Sequence, residues 1–284
     1  MSVTVHAPAK INLTLDVVGV REDGYHLLES LFQSVSIYDT LTAEKAAAIT
    51  LDAGDCGCPT EKNTAYKAAV AFFAATGIVG GARLTLTKRI PRQAGMGGGS
   101  ADAAAVLWAL NTLYEAGLTA AQLCEIGLTV GADVPFCVVG GTAYVTGIGE
   151  GLTPLPALPH CTIVVAQPAE GVSTKEAYAA IDAVTPAVRP DHKAALAALE
   201  RGDLAGVCAQ VVNVFEVATH LEGVADIRRR MQPFSPLCSQ MTGSGSCVFA
   251  VFAAEEQAQA CLDELQKHYP AAFICHPCQG IIFE

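Results

Sequence analysis

Apolar and polar residues alternate from the start of the chain: Val3, Val5 and Ala7, then Ile11, Leu13 and Leu15, share one parity. A period of two predicts half-buried strands. The charged turn Arg21-Glu22-Asp23-Gly24 follows, and residues 31–37 read as another strand. Gly, Asp and Pro collect in a loop over residues 52–63. Asn63 then stands where it would cap an Ala-rich helix running to about residue 75. Residues 83–90 alternate again and read as a strand. A glycine-rich turn over residues 91–100 leads into a helix expected to begin near Ser100, with helix-favouring composition through 101–111. Residues 118–130 read as a further helix, ended by Gly131.

Three prolines, Pro154, Pro156 and Pro159, crowd the segment 149–159, a density that reads as a linker. Beyond it lie a buried strand at 161–166, helices near 173–184, 193–200, 204–209 and 226–231, a strand at 247–252, a helix at 254–268 and a last strand at 271–275. The second half is therefore expected to pack helices on a small sheet, an α+β unit. With 284 residues the chain exceeds one ordinary core, so two domains are expected, 1–155 and 156–284, meeting near 152–159.

Composition narrows the function. Hydrophobic residues make up 51% and charged residues 16% of the chain, which excludes a disordered protein. The net charge is −11 and the one basic run, Arg228-Arg229-Arg230, is short, so nucleic acid is not an expected partner. The start, Met1-Ser2-Val3-Thr4-Val5-His6-Ala7, does not look like a signal peptide, and no apolar run reaches the roughly 20 residues of a membrane span. Eleven cysteines is an odd number in a long chain, and reduced thiols in a cytoplasm are expected. The pairs Cys56-x-Cys58 and Cys275-His276-Pro277-Cys278 offer at most two or three zinc ligands each, so no metal site is expected of them.

The glycine-rich turn carries the chemistry. Gly95-Met96-Gly97-Gly98-Gly99-Ser100 stands between a predicted strand and a predicted helix. Glycines there let the backbone approach a ligand, and a helix start aims its free N–H groups at an anion. Phosphate fits that description. A Walker A loop does not, because no lysine follows Gly99, and a dinucleotide fingerprint does not, because Ser100 replaces its third glycine.

Read together, Pro91-x-x-Ala94-Gly95-Met96-Gly97-Gly98-Gly99-Ser100-Ala101-Asp102-Ala103-Ala104, Pro8-Ala9-Lys10-Ile11-Asn12-Leu13 and Met241-Thr242-Gly243-Ser244-Gly245-Ser246-Cys247 resemble the three ordered motifs of the GHMP kinases. Gly24-Tyr25-His26 and Gly131-Ala132-Asp133-Val134-Pro135 narrow the resemblance to the branch that acts on a cytidyl diphosphate substrate in the non-mevalonate isoprenoid route. It covers essentially the whole chain; Arg92-Gln93 departs from the small or apolar residues usual there.

The resemblance implies a two-domain α+β fold, with an N-terminal domain like the second domain of ribosomal S5 and a ferredoxin-like C-terminal domain. It implies ATP as co-substrate with Mg2+, a small-molecule acceptor phosphorylated on its 2-hydroxyl, no nucleic-acid or membrane partner, and a monomer or weak homodimer. Asp133 is then the general base and Lys10 its cationic neighbour. Pro91, Ala94, Gly95, Met96, Gly97, Gly98, Gly99, Ser100 and Ala101 hold the nucleotide, with Ser100 also a magnesium ligand. Asn12, Tyr25, His26, Tyr178, Thr242, Gly243, Ser244 and Gly245 face the acceptor, and Tyr25 and Tyr178 sandwich its base.

From the residues alone, Asp133 could instead be a helix N-cap, Ser100 a cap, Lys10 a solvated strand residue and each tyrosine ordinary packing. Asp102 is assigned no catalysis. The competing functions are another GHMP kinase, acting on homoserine, mevalonate or a sugar; a regulator of the same fold that lost catalysis; and, more distantly, a nicotinamide oxidoreductase. The presence of both Lys10 and Asp133 speaks against the regulator.

Overall fold

The structure, a computed structural model, describes residues 2–55 and 57–284. Strand β1 (Ser2–Val20) and strand β2 (His26–Ala46) form one long antiparallel hairpin. Strand β3 (Thr50–Asp52), helix α1 (Thr64–Thr76), strand β4 (Gly81–Thr87), helix α2 (Gly98–Leu113), helix α3 (Ala120–Leu128), helix α4 (Val134–Val139), strand β5 (Thr142–Gly147) and strand β6 (Gly151–Pro154) complete the first half. Asn63 caps α1 as expected, its side chain accepting from the N–H of Ala65 at 2.9 Å.

The second half holds strand β7 (Thr162–Ala166), helices α5 (Thr174–Asp182), α6 (His192–Glu200), α7 (Leu204–Cys208), α8 (Val214–Thr219) and α9 (Glu222–Met231), then strand β8 (Cys238–Met241), strand β9 (Val248–Phe252), helix α10 (Glu255–Leu265) and strand β10 (Ala272–Cys275). Its four strands run antiparallel in the order β10-β7-β9-β8, the ferredoxin-like arrangement. The last strand, β11 (Ile282–Phe283), returns to pair with β1 in the seven-stranded first sheet. The two sheets part between β6 and β7.

Three readings of the pattern are corrected. The segment 149–159 is not all linker, because residues 151–154 pair with β5 as strand β6. Helix α2 starts at Gly98, two residues before Ser100, and its cap position is Gly97 in the left-handed region at φ 70°. β1 is half-buried only at its ends; every residue from 7 to 16 is buried. The odd residues Val5, Ala7, Ala9, Ile11 and Leu13 enter the main core. The even residues Lys10, Asn12, Thr14 and Asp16 are covered as well: Asn12, Thr14 and Asp16 bond to residues from the second half or from β2, and Lys10 to Asn12 and Asp133. Burying a polar row requires partners for each member, and those partners position the site.

Candidate active site

Ladder irregularities between Pro8 and Ala9 and between Asn12 and Thr14 bracket the segment that carries Lys10 and Asn12. Such bulges re-aim side chains. Residues two apart on a strand share a face, and Lys10 Nζ donates to Asn12 Oδ1 at 2.8 Å. The same ammonium lies 3.4 Å from Asp133 Oδ2 and 4.6 Å from the ring centre of Phe32. Its side chain is only 5% exposed, against 34% for Asp133. A buried ammonium at this depth is held by an amide oxygen, a carboxylate and a ring face, which together replace water.

Asp133 occupies the cap position of α4, but its side chain makes no capping bond. The carboxylate is thus turned away from its own helix and toward Lys10. Pro135, inside the first turn, suits a helix start because its missing N–H is not needed there. Pure capping is excluded.

The glycine loop and the C-terminal glycine turn meet backbone to backbone. A Cβ on Gly95, whose φ is +71°, would stand 2.0 Å from the carbonyl oxygen of Thr242. One on Gly243 would stand 2.8 Å from the carbonyl of Gly95. Cys247 N donates to Ala94 O at 3.2 Å, and Lys10 N to Met96 O at 3.0 Å. Thr64 Oγ1 donates to Gly99 O at 2.6 Å, tying α1 to the loop. The N–H groups of Gly98, Gly99 and Ser100 precede the first intrahelical bond, that of Ala101 N to Gly97 O at 2.8 Å. They form the donor-rich, positive end of α2.

Beneath this end Lys88 bridges Asp39 and Asp102, the latter at 2.5 Å. Asp102 Oδ1 is buried without a partner among the described residues. Burial pushes the Asp102 carboxyl well above its ordinary range, Lys88 pulls it down, and Asp39 adds to the rise.

One cavity of about 1190 Å³ joins these parts. Lys10, Asn12, Tyr25, His26, Pro91, Ala94, Gly95, Met96, Gly97, Gly98, Gly99, Ser100, Asp133, Tyr178, Gly243, Ser244 and Gly245 all line it. Two of the expected residues do not. Ala101 is buried, with its N–H already used in the helix. Thr242 is fully buried; its hydroxyl accepts from Asn12 N at 2.9 Å and so joins β1 to the glycine turn. Asn12 gives much of its amide to the protein, donating to Ser30 Oγ at 2.9 Å while holding Lys10.

The two tyrosines do not flank an open slot. His26 lies on the face of Tyr178, with ring centres 4.4 Å apart, while Tyr25 is 60% exposed at the rim. Pattern reading missed Phe32, Thr64, Lys88 and Asp39, because each acts through a contact distant in the chain. Arg92 reaches the carbonyl of Asp55, and Gln167 Nε2 donates to Arg92 O at 2.7 Å, so the unusual loop entry is tied to both halves. Gln93 takes φ 51°, in the left-handed region. Among the described residues no group of three or more His, Cys, Asp or Glu side chains is placed to hold a metal, and Cys56 lies outside them.

Residues 63–141 match the GHMP kinases N terminal domain and residues 195–271 the GHMP kinases C terminal model. The chain is 43% identical to the 4-diphosphocytidyl-2-C-methyl-D-erythritol kinase of Moorella thermoacetica, over 95% of this chain and 97% of that one. It belongs to the 4-diphosphocytidyl-2-C-methyl-D-erythritol kinases, a branch of the GHMP kinases. The crystal structure of a 4-(cytidine 5'-diphospho)-2C-methyl-D-erythritol kinase superposes with a TM-score of 0.82 at 36% identity, covering 96% of this chain and 98% of that one. A homoserine kinase from Cytophaga hutchinsonii shares the fold, at a TM-score of 0.78 and 21% identity, over 100% and 97% of the two chains. The expected GHMP fold, with its ferredoxin-like second sheet, is therefore the fold of this kinase family member. No helix among the described residues is long and apolar enough to cross a membrane.

Proposed function

We propose that the chain transfers the γ-phosphoryl group of ATP to the 2-hydroxyl of 4-(cytidine 5'-diphospho)-2-C-methyl-D-erythritol, giving the 2-phosphate and ADP. The observation that carries the mechanism is the Lys10–Asp133 pair, on the same cavity as the open end of α2. Asp133 accepts the proton of the acceptor hydroxyl as its oxygen attacks the γ-phosphorus, the bond to the β-phosphate oxygen breaks, and ADP leaves. Lys10, 3.4 Å from that carboxylate, orients the hydroxyl. The N–H groups of Gly98, Gly99 and Ser100 bind phosphate oxygens, so catalysis here is largely positioning and charge stabilisation.

The donor set suits Mg2+, which takes hard oxygen ligands and keeps much of its coordination for phosphates and water. Ser100 lines the cavity, and among the described residues Asp102 Oδ1 is a buried oxygen without a hydrogen-bond partner beside the loop. Ser100 would hold the ion against the nucleotide, where it would neutralise developing phosphate charge. In this reading residues 1–155 supply the nucleotide loop, 156–284 supply Tyr178 and the glycine turn, and the enzyme works in the cytoplasm as a monomer or weak homodimer.

The test is ADP release from ATP and magnesium, screened against the cytidyl acceptor, homoserine, mevalonate and galactose. Turnover with the cytidyl acceptor alone is expected. Preference for any of the other three would overturn the assignment.

A further inference from the structure

One face of Tyr178 is already covered. His26 lies on it with planes 30° from parallel, and Phe215 meets Tyr178 edge-on at 5.0 Å. The imidazole is also gripped at its rim, where Nε2 donates to Asp182 Oδ1 at 2.7 Å. A carboxylate only accepts, so that nitrogen carries the proton. Tyr178 and Asp182 stand four residues apart on α5 and so share one helix face. One takes the ring by its face and the other by its edge. His26 itself comes from the turn end of the first-half hairpin, so the contact joins the two halves at the cavity.

Stacked rings at this spacing leave no gap for a third, because an intercalated base needs roughly twice the distance of a single stack. A base on this face of Tyr178 and His26 on the same face are therefore mutually exclusive. Both are flat rings with a polar edge, so exchanging one for the other keeps the phenol face covered. What the exchange gives up is chiefly the bond to Asp182.

Resting on the cytidyl reading above, we propose that His26 occupies the pyrimidine's place on Tyr178 until substrate displaces it, and that Asp182 is the positioning residue that sets how firmly it is held. Apparent affinity for a ligand falls in proportion to the fraction of protein in the competent state. Asp182 therefore tunes the KM for the cytidyl acceptor without touching substrate, nucleotide or the reacting atoms. Its side chain is 57% exposed, so the restraint is modest, as solvent-screened pairs are.

Asp182→Ala should lower the KM for the cytidyl acceptor roughly two- to fivefold, with kcat and the KM for ATP unchanged. Asp182→Asn, which keeps an acceptor oxygen, should fall between the variant and wild type. On the wild-type protein, proton NMR of the His26 ring should report loss of the Tyr178 ring-current shift when cytidine 5'-diphosphate saturates the site. An unchanged or higher acceptor KM in folded Asp182→Ala would overturn the proposal, as would His26 resonances indifferent to cytidine diphosphate that is demonstrably bound. Wild-type enzyme that neither binds cytidine diphosphate nor phosphorylates the cytidyl acceptor would overturn the functional reading and this proposal with it. If wild type does both, the Asp182 measurements test the restraint alone.

Discussion

Lys10 Nζ lies 3.4 Å from Asp133 Oδ2, joining the first strand of the chain to the start of a short helix formed after the glycine loop. Because Asp133 makes no cap bond to its own helix, removing its charge should leave α4 intact. Asp133→Asn is expected to keep the fold and ATP affinity while lowering kcat by roughly 10²–10⁴, the span of a lost general base. Steady-state kinetics beside a nucleotide titration checks this, and near-normal turnover would remove Asp133 from the mechanism.

Tyr25 is largely exposed at the cavity rim, so its loss should not disturb the core. Tyr25→Ala should weaken cytidyl binding by about 1–3 kcal/mol, the scale of one base–aromatic stack, and leave ATP binding unchanged. Calorimetric titration with each nucleotide separates the outcomes: equal losses would indicate a folding defect, and no loss would exclude stacking by Tyr25.

Gly95 is the tightest crossing of the two glycine motifs. In Gly95→Ala the new Cβ would meet Thr242 O, and the residue would keep a left-handed φ. Backbone has no rotamer with which to yield, so overpacking of about 1–3 kcal/mol is expected, together with loss of ATP binding. Denaturant unfolding and nucleotide titration measure the two effects, and a variant with wild-type stability would show that the loops can separate freely.

Asp102 has its carboxyl raised chiefly by burial, so its ionised form is disfavoured in the folded state. Its contribution to stability is present below the ordinary carboxylate range and declines as pH climbs from there through the raised folded value. Asp102→Asn, neutral at every pH, should gain stability relative to wild type over that rise. Urea midpoints of both proteins across the acid-to-neutral range test this, and a difference independent of pH would refute it.

Much of the architecture was legible along the chain. The alternation of β1, the Asn63 cap and the glycine turn are local effects, set by side-chain period, backbone hydrogen bonding and permitted φ, and they survive in the folded protein. The candidate residues Lys10, Gly95–Ser100, Asp133 and Gly243 were also picked out by residue type and order, and all of them line one cavity. The burial of both faces of β1 was not legible, because a strand's second face is covered only when another part of the chain arrives. Nor could spacing show that Thr242 turns inward to Asn12, that Lys88 is shared by Asp39 and Asp102, or that His26 covers Tyr178. Each of these depends on distances between residues far apart in sequence, and desolvation then makes such pairings decisive: a polar group in the interior must find its partner wherever the fold has brought one.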